Sequence, residues 1–425
     1  MIRLSGIYPE IDKLPRNFRG AITSHFQFLR SSFLVLSLAF FLLSPVYAKE
    51  NDKPVAISPS LYKRLTKVEK LISTKSYQQA EQKLSAMLTS VDQNSYEHAT
   101  VLRSLSSVYA LKGQYHKAAD ALSRAIALKV LPENQHQQAI LNLGQLYMAL
   151  EQYSKAVQTL EPWLSMNPNP DLQIHVLLAN AYAQLKNYRK ALPHIKQAIA
   201  KSKKPEESWY QLNLALYFEL GNYSSAAGVL KTLIRLYPDK KPYWHQLSSV
   251  YQQLKQYKKA VSIKHLAYKK GFIDTEKGVL ELANLFLYIG SPYKAANLLK
   301  DGFQHKKISS TSKNWETLAH AWTMAKEFDH AVIALETASK LNNKGSLSQQ
   351  LGQIYVEQEK WNLAVVALRK AISKGGLKNT GSTYLLLGMS YYELNDKQQA
   401  KKYFLKAALY GKNKKAAVQW LNYIS

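Results

Sequence analysis

From Ser58 onward apolar residues recur at i, i+3, i+4 and i+7 with few interruptions, and no stretch sustains an alternation of period two. That pattern predicts helices throughout and no sheet. A second, longer period lies over it. In Leu143–Ala156, LGQLYMALEQYSKA, a Gly is followed by a Tyr three residues on, a Tyr six further and an Ala three after that. Taking the last Ala as a marker, related copies end at Ala80, Ala118, Ala191, Ala226, Ala260, Ala295, Ala331, Ala364 and Ala400, in steps of 33 to 38 residues. A step that constant is the signature of stacked supersecondary units.

The positions around each marker carry the packing logic. Nine residues before it stands an aromatic or large apolar residue, such as Tyr109, Tyr182, Phe286 or Trp322; three before it a second aromatic, such as Tyr115, Tyr188 or Trp361; twelve before it mostly a small residue, such as Ser106, Gly144, Ala179 or Gly388. Each unit is thus expected to be a helix A, a short turn and a helix B, with the small residue letting the two approach. Departures occur at Val68 and Leu214 in place of the small residue, at Pro292 and Lys397 in place of the second aromatic, and at Trp163 where other copies have Ala. The more open linkers are expected at Val130–Gln137, Phe303–Asn314 and Ser373–Ser382, from their Gly, Ser and Asn content.

This spacing resembles the tetratricopeptide repeat. The resemblance implies an all-α fold, a right-handed α-solenoid of about ten tetratricopeptide-like helix-turn-helix repeats over residues 58–410. A C-terminal capping helix is expected over 411–425, with Trp420 and Ile424 covering the last repeat. One elongated body is expected rather than several globular domains.

Residues 1–48 read differently. Arg3, Lys13, Arg16, Arg19 and Arg30 precede an apolar run, Phe33 to Leu43, then Pro45, Val46 and Ala48. The run is too short to span a bilayer, which needs about 20 residues. Small residues at Val46 and Ala48 fit a cleavable export signal cut after Ala48, with 49–57 as a linker to the repeats. The expected location is the periplasm; the alternative is an uncleaved anchor in the inner membrane facing the periplasm.

The formal charge is +28, or +25 once five basic and two acidic residues leave with the leader. There is no cysteine, which removes disulfides, thiol catalysis and Cys-based zinc sites. No His pair has metal-ligand spacing on one helix face, and phosphate loops, dinucleotide fingerprints and nucleophile elbows are absent. The chain is therefore read as non-catalytic and without a cofactor.

Recognition is the remaining reading. Stacked pairs form a superhelix whose concave wall is lined by the A helices. Eleven residues before the markers this wall presents Gln145, Asn180, Ser249, Asn284, His320 and Gln353; fifteen before, it presents Gln211, His245 and Gln349. Amides and hydroxyls both donate and accept, which suits the backbone of a peptide or protein partner. Lys117, Lys155, Lys190, Lys259 and Lys294 directly precede marker alanines on helix B. They are expected on the opposite side, as a contact for an anionic membrane or envelope polymer such as lipopolysaccharide or acidic polysaccharide. Export would make nucleic acid an improbable partner. Pro242–Tyr251, Gly375–Leu394 and Ala416–Ile424 are similar to periplasmic tetratricopeptide proteins found beside TonB–ExbB–ExbD systems. That similarity implies an accessory role in energised outer-membrane uptake; docking subunit of an envelope-polymer enzyme is a competing role.

Overall fold

The computed structural model describes residues 56–166 and 170–424, and among these every regular element is an α-helix. The leader, its cleavage point and most of the linker lie outside the described residues. Contacts divide the chain into two units between Pro238 and Asp239. The first contains α1 (Pro59–Ser73), α2 (Tyr77–Leu88), α3 (Tyr96–Leu111), α4 (Tyr115–Ala127), α5 (Glu133–Ala149), α6 (Tyr153–Met166), α7 (Leu172–Gln184), α8 (Tyr188–Lys201), α9 (Glu207–Glu219) and α10 (Tyr223–Leu236). The second contains α11 (Lys241–Gln253), α12 (Tyr257–Lys269), α13 (Glu276–Tyr288), α14 (Pro292–Gln304), α15 (Ser312–Met324), α16 (Phe328–Leu341), α17 (Gly345–Glu357), α18 (Trp361–Lys374), α19 (Thr380–Glu393), α20 (Lys397–Ala408) and α21 (Gly411–Ile424). Odd-numbered helices up to α19 are A helices and even-numbered ones B helices. The all-α repeat solenoid expected from the sequence is the fold observed.

One backbone device closes the A–B turn of every pair. Five residues before each marker the chain turns left-handed, with φ of 57° at Lys75, Lys186 and Lys255, 72° at Gly113 and 62° at Asn395. The left-handed residue donates its N–H three residues back, as Lys186 does to Ala183 O at 3.0 Å. The next residue donates five back, as Asn187 does to Tyr182 O and Gln256 to Tyr251 O, both at 2.8 Å. This pair of bonds satisfies carbonyls that the end of a helix leaves orphaned. The recurring aromatic nine before the marker is thus also the residue whose carbonyl locks the turn.

Packing explains the rest of the period. All ten marker alanines are fully buried, because helix A crosses helix B there and any larger side chain would push them apart. Twelve before the marker the small residue meets the residue four after it: a Cβ on Gly144 would lie 2.9 Å from Leu160, and one on Gly388 2.6 Å from Phe404. Where that small residue is serine, its hydroxyl donates to the marker's own carbonyl, Ser106 to Ala118 at 2.7 Å and Ser248 to Ala260 at 3.0 Å. In the first unit one core cluster runs from Ile140 to Leu216 and absorbs Trp163. Trp163 follows Pro162, which sits inside α6.

The linkers are shorter than the sequence reading proposed. Glu133–Gln137 belong to α5, Ser312–Asn314 to α15 and Thr380–Ser382 to α19, while α14 and α18 absorb Phe303, Gln304, Ser373 and Lys374. The polar residues that read as turn are helix starts. Thr311 and Asn379 cap α15 and α19 by accepting from the N–H groups of Asn314 and Ser382, a role those residue types fill as readily as a turn. The final helix α21 begins at Gly411. It buries Ala417 and stacks Trp420 on Phe404 with ring centroids 5.3 Å apart.

Candidate functional site

The nine residues assigned to a partner wall all lie on A helices, and the structure sorts them by what their polar groups already do. In the first unit Gln145, Asn180 and Gln211 are half-buried. Asn180 donates to Val176 O of its own helix at 3.0 Å, and Gln211 donates to Glu207 at 3.3 Å. In the second unit His245, Asn284 and Gln353 are exposed, and Ser249, His320 and Gln349 half-buried. Gln349 is committed to structure: its amide donates to Thr383 Oγ1 at 2.8 Å and to Asn379 O at 3.3 Å, tying α17 to α19. Burial holds the His320 imidazole below its ordinary pKa, so it is the neutral form that lines this face. Asn284 and Gln353 are left with amides that no other described residue engages.

The lysines before the marker alanines are exposed, and four are also seated. Lys117, Lys155, Lys190 and Lys259 hold their ammonium groups 5.4 to 5.7 Å from the ring centroids of Tyr109, Tyr147, Tyr182 and Tyr251. Each ring is the recurring aromatic eight residues earlier on helix A, so helix B clamps its partner helix through a cation–π contact of about 0.5–1 kcal/mol. Lys294 lacks that seat among the described contacts. It lies near His265, whose pKa is lowered by burial and by Lys269 and Lys294. The lysine period has a structural cause that sequence reading missed, although the Tyr–Lys spacing of eight was there to be found.

Three further groups escaped the sequence reading. Arg103, on α3, is half-buried and donates to Gln135 Oε1 at 2.5 Å, with no carboxylate in ion-pair contact among the described residues; burial lowers its pKa. His175 on α7, 2 % exposed, and His194 on α8 face each other with Nδ1 atoms 3.2 Å apart. His194 also stacks on Tyr182, whose hydroxyl donates to Glu161. Burial, then His194 and Lys201, hold His175 down to a pKa of about 4.

The third group is Lys264 on α12, which is 8 % exposed and ion-paired to Glu281 on α13 at 2.5 Å. Beside it a pocket of about 230 Å³ is lined by His245, Phe272, Ile273, Asp274, Thr275, Lys277 and Gly278. Among the described residues no three His, Asp or Glu side chains converge as a metal ion needs, and no helix is long and apolar enough to cross a membrane.

Models of the tetratricopeptide repeat match residues 109–181, 176–241, and 242–263 together with 381–410. This is a tetratricopeptide-repeat protein. Solved structures similar to it include a tetratricopeptide repeat protein from Parabacteroides merdae ATCC 43184, at 15 % identity over 73 % of this chain and 100 % of that one, with a TM-score of 0.38. A crystal structure of MamA protein is 22 % identical over 39 % of this chain and 89 % of its own, TM-score 0.35. The APC/C hetero-tetramer Cut9–Hcn1 matches at 13 % identity over 87 % of this chain and 90 % of that chain, TM-score 0.30. Superpositions this loose add nothing to the family assignment. No curated protein matches the chain.

Proposed function

We propose that this protein is a non-catalytic periplasmic scaffold that holds an extended peptide or protein segment along its A helices, as an accessory to TonB-dependent outer-membrane uptake. Tetratricopeptide repeats serve protein–protein interaction, and that much follows from the family. The observation that carries the finer reading is the pair Asn284 and Gln353. Both stand eleven residues before a marker alanine, both are exposed, and neither amide is used by the fold. An unengaged amide can donate to and accept from the backbone of an extended segment, which needs both at each residue. The export signal read at residues 33–48 supports the periplasmic location.

A second reading rests on the exposed row Lys117, Lys155 and Lys190 in the first unit, each ammonium fixed over a tyrosine ring. A fixed row of cations suits an anionic envelope polymer, and its binding weakens as salt rises. Capture of the mature chain's partners from envelope extract, at low and near-physiological salt, separates the two. Recovery of TonB-system components at both salts, lost when Asn284 and Gln353 are replaced by alanine together, supports the scaffold. Recovery of polysaccharide or lipid alone, and only at low salt, replaces it with the second reading.

A further inference from the structure

Four residues after the marker alanine, nine of the ten repeats place Leu, Ile or Phe, from Leu84 and Leu122 to Leu368 and Phe404, each no more than 3 % exposed. The sixth places Lys264 there. A lysine in that position does not serve stability best. Withdrawing an ammonium from water is costly, and an apolar residue of similar volume is commonly as good as a buried ion pair or better. The partner is also unequal, since Glu281 keeps 48 % of its side chain exposed against 10 % for Lys264. A buried cation paired to a half-solvated carboxylate is a poor staple, but it is a good way to hold an ammonium at a fixed point.

That point is the wall of the pocket on α11, α12 and α13. An ammonium has three donors, and one is taken by Glu281. Of the other charges at the pocket, Asp274 is paired to Lys241 at 3.6 Å. Lys277 is exposed and has no carboxylate partner among the described residues. The lining carries Lys264 and Lys277 against Glu281 and Asp274. Because Lys241, from outside the lining, pairs with Asp274, Lys277 is left as the surplus positive charge, with the His245 imidazole also in the lining. One surplus cation matches one singly charged oxyanion; a phosphate monoester, at about −1.5 to −2, would be left under-neutralised.

We propose that this pocket binds the carboxylate of an Asp or Glu side chain of the partner, held by Lys264 and Lys277 with His245 at the rim. The proposal deepens the scaffold reading and rests on it: the amides of the A helices would take the partner's backbone, and Lys264 would choose its sequence. His245 belongs to both sets.

The test is a binding titration of the mature chain with three capped, alanine-rich peptides: one with a central glutamate, one with glutamine there, and the glutamine peptide with its C-terminus left uncapped. The expected result is a preference for glutamate over glutamine of about tenfold, the scale of a charge-assisted hydrogen bond. That preference should vanish in Lys264→Leu, which restores the residue of the other repeats and should melt no lower than the native chain. Lys277→Gln, an exposed change that leaves the core intact, should reduce the preference independently.

Equal binding of the glutamate and glutamine peptides overturns the subsite while leaving the scaffold reading standing. Binding of neither peptide overturns both. Tighter binding of the uncapped peptide than of the glutamate one assigns the pocket to a chain terminus and overturns the side-chain proposal. If Lys264→Leu melts well below the native chain and Lys277→Gln keeps the full glutamate preference, the Lys264–Glu281 pair is structural and the proposal fails.

Discussion

Leu368 closes over Gly352: a Cβ added to that glycine would lie 2.5 Å from Leu368 Cγ and Cδ2. The two residues stand twelve before and four after Ala364, the same frame that brings Gly144 to Leu160 and Gly388 to Phe404. Gly352→Ala should therefore destabilise the second unit. The overpacking cost of about 1–3 kcal/mol outweighs the gain of about 1 kcal/mol from removing a glycine inside a helix. Gly228, in α10, has nothing within 4 Å of an added Cβ, so Gly228→Ala should raise stability by about 0.5–1 kcal/mol. Denaturant midpoints of the two variants should move in opposite directions.

The A–B turns offer a second test. Lys186 and Lys255 both sit at φ 57°, a conformation that costs a residue with a Cβ about 1–2 kcal/mol. Glycine adopts it freely but loses more backbone freedom on folding. Lys255→Gly should therefore be stabilising by less than about 1 kcal/mol. Lys255→Val should be destabilising, since a branched Cβ tolerates this region worst. Thermal melts of the pair check it, and a loss of stability in the glycine variant would contradict the turn geometry.

Acid should find the His175–His194 pair. The folded chain protonates His175 only near pH 4, the unfolded chain near the ordinary 6.5. Between those values the unfolded chain binds more protons. Stability is therefore level above that window and falls as pH drops through it. Melting temperature measured from neutral pH down to about pH 4 should decline in the native chain. The decline should be shallower in His175→Phe, which has no proton to take up there.

Gln349 and Gln353 should separate structure from binding on one helix. Gln349→Ala removes its hydrogen bonds to Thr383 and to the cap residue Asn379 and should cost about 1–3 kcal/mol, because the fully buried Thr383 hydroxyl loses its amide donor and keeps only its 3.4 Å bond to Asn379 O. Gln353→Ala removes an exposed amide the fold does not use. It should leave the melt within about 0.5 kcal/mol of the native chain while weakening partner capture.

The sequence alone determined a great deal here, and for a physical reason. Each repeat contacts its neighbours through the same few positions, so the packing rule is written ten times and local spacing suffices to read it. The buried alanines, the large apolar residue that locks each turn, an aromatic in all but the first pair, and the closing helix with Trp420 were all legible that way. The helix starts at Glu133, Ser312 and Thr380 were not; before the last two, Thr311 and Asn379 are residue types that serve caps and turns alike. The candidate site was legible only as a set of positions. Spacing placed Gln349 and Gln353 on one wall, but it took the tertiary structure to show that one is bonded to Thr383 and the other is not. Lys117, Lys155, Lys190 and Lys259 showed their period in the sequence, whereas their seats on tyrosine rings depend on how helix B crosses helix A. Lys264 could have been noticed as a polar residue in an apolar column. That it pairs with Glu281 beside a pocket rimmed by His245 was decided by the docking of α13 on α12, a contact between repeats that no single repeat encodes.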